Sequence, residues 1–275
     1  MALETQPGAP GPRGATRWDP TQYLKFADHR LRPSLELLER VPLTDPRVVY
    51  DLGCGAGEQA RMMADRWPNA TVYGVDSSRE MIEKSAASPS RVQWVQADVR
   101  TWEPAEPPDL IYSNAALQWV DGHKELFPRL VGFLAPGGCL AVQVPLSWGM
   151  PSHRMMRQML EDGGPGGTPL GTDELRARVG RKWVDDADEY YDLLIGLTET
   201  LDIWETEYLQ VLEGPDPVLE WVTGTGLRPI LNDLNDTDRA IYRAEYARRL
   251  RELYPVRANG KTLYPFRRLF IVATV

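Results

Sequence analysis

The stretch Val48-Val49-Tyr50-Asp51-Leu52-Gly53-Cys54-Gly55-Ala56-Gly57 decides the fold. It begins with apolar, β-branched residues that favour a buried strand, and it ends in alternating glycines that favour a tight turn. Residues 58–67 follow a helical pattern, which Pro68 closes. A strand, a glycine turn and a helix in this order are typical of the first unit of a parallel α/β sheet.

Strands and helices continue to alternate after this unit. The predicted strands are residues 48–50, 71–75, 92–95, 109–112 and 139–144, and the predicted helices are 58–67, 78–87 and 123–134. Continuous apolar strands joined by helices predict a mostly parallel sheet with helices on both faces.

The two ends of the chain follow different patterns. Residues 1–16 are rich in Pro, Gly and Ala and are predicted to be a disordered tail, followed by a short helix at 21–29 and a second helix that Pro33 opens. After a Gly/Pro-rich break, the C-terminal half predicts helices at 190–197, 217–223 and 236–253 and strands at 203–212 and 269–275. We expect one domain over 17–275, with a helical insertion at about 151–200 and a helical segment at about 215–255.

Composition excludes several classes of function. The 275 residues carry a net charge of −8, which disfavours nucleic acid as a partner. Two cysteines and three histidines leave no disulfide framework and little material for a metal site, so no metal is expected. The longest uncharged stretch, residues 130–152, is broken by Pro and Gly, so no membrane span is expected. With no secretory signal, we expect a cytoplasmic protein, either a monomer or a weak homodimer.

Carboxylates at the strand ends indicate the kind of cofactor. Asp76 ends the second predicted strand, where it can accept hydrogen bonds from ribose hydroxyls. A dinucleotide-binding loop would have its third glycine at position 58, but Glu58 stands there and would repel a pyrophosphate. S-adenosylmethionine carries no phosphate and is positively charged, so it suits the acidic rim of Asp51, Asp76 and Asp98 better.

Four segments resemble the cofactor motifs of class I S-adenosylmethionine-dependent methyltransferases. They are residues 51–57, Gly74-Val-Asp-Ser-Ser78, Gln96-Ala-Asp98 and Pro108-Asp-Leu-Ile111. Segments along nearly the whole chain, from Trp18 to Ala273, further resemble the trans-aconitate 2-methyltransferase family. They include Trp18-Asp-Pro20, Asn114-Ala-Ala-Leu-Gln-Trp119, Trp221-Val-Thr-Gly-Thr-Gly-Leu-Arg-Pro229 and Phe266-Arg-Arg-Leu-Phe-Ile-Val-Ala273.

This resemblance implies a Rossmann-like sheet of seven strands, with an antiparallel C-terminal strand and a helical cap. It also implies that S-adenosylmethionine is the cofactor and S-adenosylhomocysteine the product. The expected cofactor-binding residues are Trp18, Tyr23, Asp51, Gly53, Gly55, Asp76, Ser77, Asp98 and Asn114.

The resemblance implies methyl transfer to a carboxylate of a small polyacid. Such a group is already ionised at neutral pH, so no general base and no catalytic side chain is expected beyond those that position the reactants. The anionic substrate needs local positive charge. The expected substrate-binding residues are Arg30, Arg267 and Arg268, with Trp119 as a wall.

Two departures from the family leave the acceptor open. Residues 56–60 read Ala-Gly-Glu-Gln-Ala where the family has Pro-Gly-Asn-Ser-Thr, and Leu146-Ser147 replace Asp-Asn after the fifth strand. A hydroxyl, amine or thiol acceptor therefore stays an alternative, and a hydroxyl would need a base such as His123 or His153. Otherwise we expect His153 to be a helix cap or a surface residue. The other alternative is a cofactor-binding module, including an NAD-type dehydrogenase.

Overall fold

The structure is a computed structural model that describes the backbone of residues 27–275 and the side chains from Leu31 onward. The predicted tail at 1–16, and residues 21–26 of the predicted first helix, lie outside the described residues. The strands are β1 (Val48–Leu52), β2 (Thr71–Asp76), β3 (Gln93–Gln96), β4 (Leu110–Asn114), β5 (Cys139–Pro145), β6 (Thr200–Leu212) and β7 (Thr262–Thr274).

Helices follow most of the strands and fill the C-terminal half. They are α1 (Ala27–Glu39), α2 (Glu58–Arg66), α3 (Arg79–Ala86), α4 (His123–Gly132), α5 (Pro151–Asp162), α6 (Asp173–Val179), α7 (Ala187–Leu194), α8 (Pro217–Thr223), α9 (Arg228–Asp233) and α10 (Asp236–Leu253). None of these helices is both long and apolar enough to cross a bilayer.

All seven strands form one sheet in the order β3-β2-β1-β4-β5-β7-β6. Pairing is parallel from β3 through β5, whereas β7 is antiparallel to both β5 and β6. The predicted fold, a mostly parallel sheet of seven strands with antiparallel C-terminal pairing, is confirmed. The chain leaves β1 toward β2 on one side and returns to β4 on the other, and such a reversal opens a crevice at the carboxyl ends of the strands.

The C-terminal hairpin is longer than the sequence predicts. β6 and β7 pair over 13 residues, but β5 covers only the second half of β7, from Arg268 to Thr274. The remaining ribbon buries Tyr264 and Phe266 against α5, α8 and α10. The sequence predicts most of β6, at 203–212, but not residues 262–268 of β7, because buried and more exposed residues alternate there and give no continuous apolar run.

Two further details differ from the sequence expectations. Pro33 lies inside α1 rather than opening a helix. The helix tolerates it because Leu37 and Leu38, one turn later, are buried against the sheet in the same cluster as Val49. His153 is also not a surface residue, since only 9% of it is exposed.

A buried hydrogen bond fastens α7 to α4 and generates a stability prediction. The Tyr190 hydroxyl bonds His123 Nδ1 at 2.5 Å and accepts from the Asp185 N–H at 3.3 Å. Tyr190→Phe leaves the imidazole nitrogen without that partner, so we expect a loss of about 1–3 kcal/mol in the free energy of unfolding. Denaturant titration measures it.

The neighbouring residue provides the matched control. Tyr191 is 48% exposed, and Tyr191→Phe should change the free energy of unfolding by less than about 0.5 kcal/mol. Equal effects of the two substitutions would contradict the assigned role of the buried bond.

Candidate functional site

The glycine loop between β1 and α2 forms the floor of the site. Gly53 and Gly55 have φ values of 74° and 54°, in the left-handed region that favours glycine. A Cβ on Gly53 would lie 2.2 Å from the Cβ of Ala116, whereas one on Gly55 would meet nothing within 4 Å. The first glycine is therefore required by packing, and the second leaves open space above the loop.

Hydrogen bonds hold this loop against the end of β2. The N–H groups of Gly53 and Cys54 both donate to the Val75 carbonyl, at 2.8 and 3.0 Å. Asp76 Oδ2 accepts from the Gly55 N–H at 2.9 Å, and its Oδ1 accepts from the Ser78 N–H at 2.8 Å. Each carboxylate oxygen keeps a second lone pair for a ligand hydroxyl.

Asp51 lies beneath the loop rather than on the cleft surface. It is 2% exposed, and its Oδ2 has no hydrogen-bond partner among the described residues. Burial, followed by the nearby charge of Asp76, raises the pKa of Asp51 to about 8, against the opposing effect of the Ala60 N–H. At neutral pH Asp51 is therefore mostly protonated, and a cation bound above the loop would favour its ionised form.

A cleft of about 900 Å³ opens above the loop, at the carboxyl ends of the parallel strands. Six of the predicted cofactor residues line it: Gly53, Gly55, Asp76, Ser77, Asp98 and Asn114. Glu58 and Glu80 add further carboxylates to the same wall. Asp98 pairs with Arg100, whose Nη2 lies 2.5 Å from Asp98 Oδ2, and this bond lowers the pKa of Asp98.

The helical cap forms the far wall of this cleft. Four residues of this wall were not predicted from the sequence, namely Trp183, Arg228, Pro229 and Asn232. They lie more than 100 residues after the glycine loop, and no local motif connects them to it. Only the folding of the cap over the strand ends brings these residues to the site.

A second cleft, of about 600 Å³, continues from the first. The two share a wall made of Ala115, Trp119, Arg178, Trp183, Thr225 and Pro229. Trp119, 42% exposed, stands at the junction. Ala115 has a φ of 53°, an uncommon conformation for a residue with a side chain, and its carbonyl accepts from Gln118 Nε2 at 2.7 Å. The backbone is thus strained where the clefts meet.

The second cleft is rich in cations. Predicted residues Arg267 and Arg268 both line it. Arg267 is ion-paired with Glu205, while Arg268 is buried and donates from Nη1 to Gln143 Oε1 at 2.9 Å. Four further cations that line the second cleft were not predicted from the sequence, namely Arg157, Arg178, Arg181 and Lys182. Arginines are common on solvated helix faces, so their spacing alone does not indicate a shared cleft.

Three predicted site residues lie outside the side chains that the structure describes. Trp18 and Tyr23 lie outside the described residues, and so does the side chain of Arg30, although its backbone belongs to α1. Within residues 27–275, no group of His, Cys, Asp and Glu side chains is arranged to hold a metal ion.

The two candidate bases differ in position. His123 is buried away from both clefts, with Nδ1 bonded to Tyr190 and Nε2 3.0 Å from the Leu117 carbonyl oxygen. His153 lines the second cleft, and burial, followed by the charge of Arg157, lowers its pKa to about 4. Neither imidazole is therefore suited to accept a proton from a substrate hydroxyl at neutral pH.

Comparison with known proteins agrees with this architecture. A family model described as a methyltransferase domain matches residues 49–138, which include the glycine loop and β2 to β4. Among solved structures, the YcgJ protein from Bacillus subtilis superposes with a TM-score of 0.55 at 12% identity, over 88% of this chain and 98% of its own. A phosphoethanolamine N-methyltransferase from Haemonchus contortus gives a TM-score of 0.51 at 15% identity, over 88% and 52% of the two chains. These likenesses show the fold.

Sequence relatives are much closer and span nearly the whole chain. A trans-aconitate 2-methyltransferase from Pseudomonas paraeruginosa is 45% identical over 261 residues, covering 94% of each chain. One from Streptomyces avermitilis is 46% identical over 274 residues, covering 95% of this chain and 98% of its own. With this extent of identity, the chain belongs to the trans-aconitate 2-methyltransferase family of S-adenosylmethionine-dependent methyltransferases.

Proposed function

We propose that this protein transfers a methyl group from S-adenosylmethionine to a carboxylate of a small polycarboxylic acid such as trans-aconitate, forming a methyl ester. The observation that carries the proposal is the difference in charge between the two joined clefts. Five carboxylates and four cations line the first cleft, with Asp76 bonded to the glycine loop, whereas six cations and one carboxylate line the second. A cationic cofactor and an anionic acceptor would each find complementary charge and would meet at Trp119.

The residues of the first cleft fit S-adenosylmethionine. The open space above Gly55 leaves room for a ligand against the backbone, and the free lone pairs of Asp76 suit ribose hydroxyls. The buried Asp51 carboxyl favours a cation over a phosphate, as does Glu58 in the first turn of α2. We assign cofactor binding to these residues together with Gly53, Ser77, Asp98 and Asn114, and to Trp18 and Tyr23 by resemblance.

The chemistry requires positioning more than proton transfer. When bound, S-adenosylmethionine supplies an electrophilic methyl group. A carboxylate acceptor with a pKa near 4 is already ionised, so no side chain has to remove a proton. Arg268, Arg267 and Arg30 would orient the anion and Trp119 would exclude water, and such positioning supplies roughly 7–11 kcal/mol of barrier lowering.

The same features disfavour a hydroxyl acceptor and a dinucleotide cofactor. A hydroxyl acceptor would call for a base, but His123 faces away from both clefts and His153 is too weak a base. A dinucleotide would place its pyrophosphate at the N-terminus of α2, where Glu58 stands.

We also propose a cellular compartment and an oligomeric state for the enzyme. Cys54 and Cys139 are buried free thiols, which fits the reducing cytoplasm. The net charge of −8 fits a small-molecule substrate rather than nucleic acid. We place the enzyme there as a monomer or weak homodimer, with residues 17–275 as one domain whose helices after β5 and β6 cap the sheet.

Turnover of carboxylic acids tests the function itself. With S-adenosylmethionine and trans-aconitate, we expect S-adenosylhomocysteine and a monomethyl ester in equal amounts, measured by mass spectrometry. Catechol, a primary amine and a thiol serve as acceptors of the other classes and should give no product. Methylation of one of these, with no methylation of any di- or tricarboxylate, would overturn the proposal.

The glycine loop provides a test of where the cofactor binds. Gly55 and Gly137 both have positive φ, and at neither would a Cβ meet an atom within 4 Å, but only Gly55 lines the cleft. Replacing either glycine by Ala should cost about 1 kcal/mol of stability through backbone strain. Only Gly55→Ala should weaken S-adenosylhomocysteine binding, by at least tenfold (roughly 1.4 kcal/mol) in calorimetry. Equal affinities for the two variants would place the cofactor elsewhere.

A further inference from the structure

Two side chains of α5, His153 and Arg157, line the second cleft together. They are four residues apart, so they project from the same face of the helix on successive turns. Burial, followed by the charge of the neighbouring Arg157, lowers the pKa of the His153 imidazole. Neither residue belongs to the substrate-binding set that the sequence predicts.

Arg157 is fixed in place without a carboxylate. Its guanidinium carbon lies 3.7 Å from the centroid of the Trp148 ring, and its Nη2 donates to the Trp148 carbonyl at 2.8 Å. No described carboxylate lies within ion-pair distance of it, and burial, followed by the like charge of Arg154, lowers its pKa. A partly buried cation without a counter-ion costs free energy that a bound anion would recover.

Most other cations that line the second cleft already form ion pairs with protein carboxylates. Arg178 is paired with Asp233, Lys182 with Asp186, and Arg267 with Glu205. A substrate carboxylate would have to displace a protein carboxylate from any of these. Arg157 requires no displacement and is already oriented, so it is better prepared to bind an anion.

The hydrogen bonds around His153 determine which ring nitrogen carries the proton. Tyr264 is fully buried, and its hydroxyl lies 3.0 Å from Ser152 Oγ. With no other described partner, the Tyr264 hydroxyl must donate to Ser152, because otherwise its proton would be buried unpaired. Ser152 then donates to His153 Nδ1 at 3.1 Å.

The remaining proton of the neutral imidazole is therefore on Nε2. This nitrogen has no hydrogen-bond partner among the described residues. Gly226 borders it, and a Cβ at Gly226 would lie only 3.1 Å from Nε2. The glycine thus keeps space beside an N–H donor that lines the cleft next to the Arg157 guanidinium.

We propose that His153 Nε2–H and the Arg157 guanidinium together bind a carboxylate of the acceptor that is not methylated, so that this pair selects polycarboxylic acids. The inference rests on the proposed function and adds to it a specific subsite. A neutral donor and one cation are complementary to a single carboxylate, which accepts hydrogen bonds on both oxygens. The tyrosine–serine chain behind His153 positions the donor.

The test combines variants of the protein with variants of the acceptor. Itaconate, mesaconate and glutaconate each lack a different one of the three carboxylates of trans-aconitate. We expect Arg157→Met to lower kcat/KM for trans-aconitate by about ten- to hundredfold, mainly through KM. For whichever dicarboxylate lacks the group bound at the subsite, the same substitution should change kcat/KM by less than about threefold, because that contact is already gone.

Matched variants separate binding from damage to the fold. Arg154→Met removes an equal charge from an exposed position of the same helix and should leave kcat/KM for all four acids within about threefold. His153→Gln keeps an N–H donor near the Nε2 position and should retain most of the activity with trans-aconitate, whereas His153→Leu should lose it. Calorimetric affinity for S-adenosylhomocysteine should be unchanged in all four variants.

The outcomes are distinguishable. If the wild-type enzyme methylates none of the four acids, the proposed function fails. If it methylates them but Arg157→Met lowers kcat/KM equally for all four, or no more than Arg154→Met does, the function stands and the subsite is wrong. An equal loss of kcat/KM in His153→Gln and His153→Leu would show that the histidine is not part of the subsite.

Discussion

The bonding of the glycine loop to the end of β2 is the constraint on which the site depends. Two loop N–H groups share the Val75 carbonyl, and a third binds the Asp76 carboxylate, so the loop cannot move without breaking three hydrogen bonds. The left-handed glycines make this path possible, and Asp51 is sealed beneath it. A rigid backbone therefore lies at the centre of the proposed reaction site, as proximity catalysis requires.

The helical cap places positive charge in a protein that is acidic as a whole. Its helices, with the ends of β5 and β7, surround a cleft where arginines outnumber carboxylates, beside a first cleft with the opposite balance. Because low-dielectric walls limit screening, this local difference in charge favours an anion in the second cleft, in spite of the net charge of −8. Trp119 stands at the boundary between the two environments.

The central strands β1, β2, β4 and β5 were largely predictable because they are mainly apolar runs, and Gly, Asp, Asn or Pro marks where each one ends. The strand ends in turn indicated Asp76, Asp98 and Asn114, because parallel strands bring their carboxyl ends to one edge. The cap was not predictable in the same way. Arg157 and His153 lie on a helix whose polar residues look like an ordinary solvated surface, and only the packing of α5 against β7 turns that face toward the cleft.

Proton release on cofactor binding tests the central claim most directly. Burial raises the pKa of Asp51 to about 8, so the carboxyl is mostly protonated at pH 7, and a bound sulfonium should lower that pKa. Calorimetric titration with S-adenosylmethionine at pH 7, in two buffers of different ionisation enthalpy, should show a proton released on binding. Affinity should increase as the pH rises toward 8, and Asp51→Asn should abolish both effects. No binding, or binding with the same proton balance in Asp51→Asn, would contradict the account.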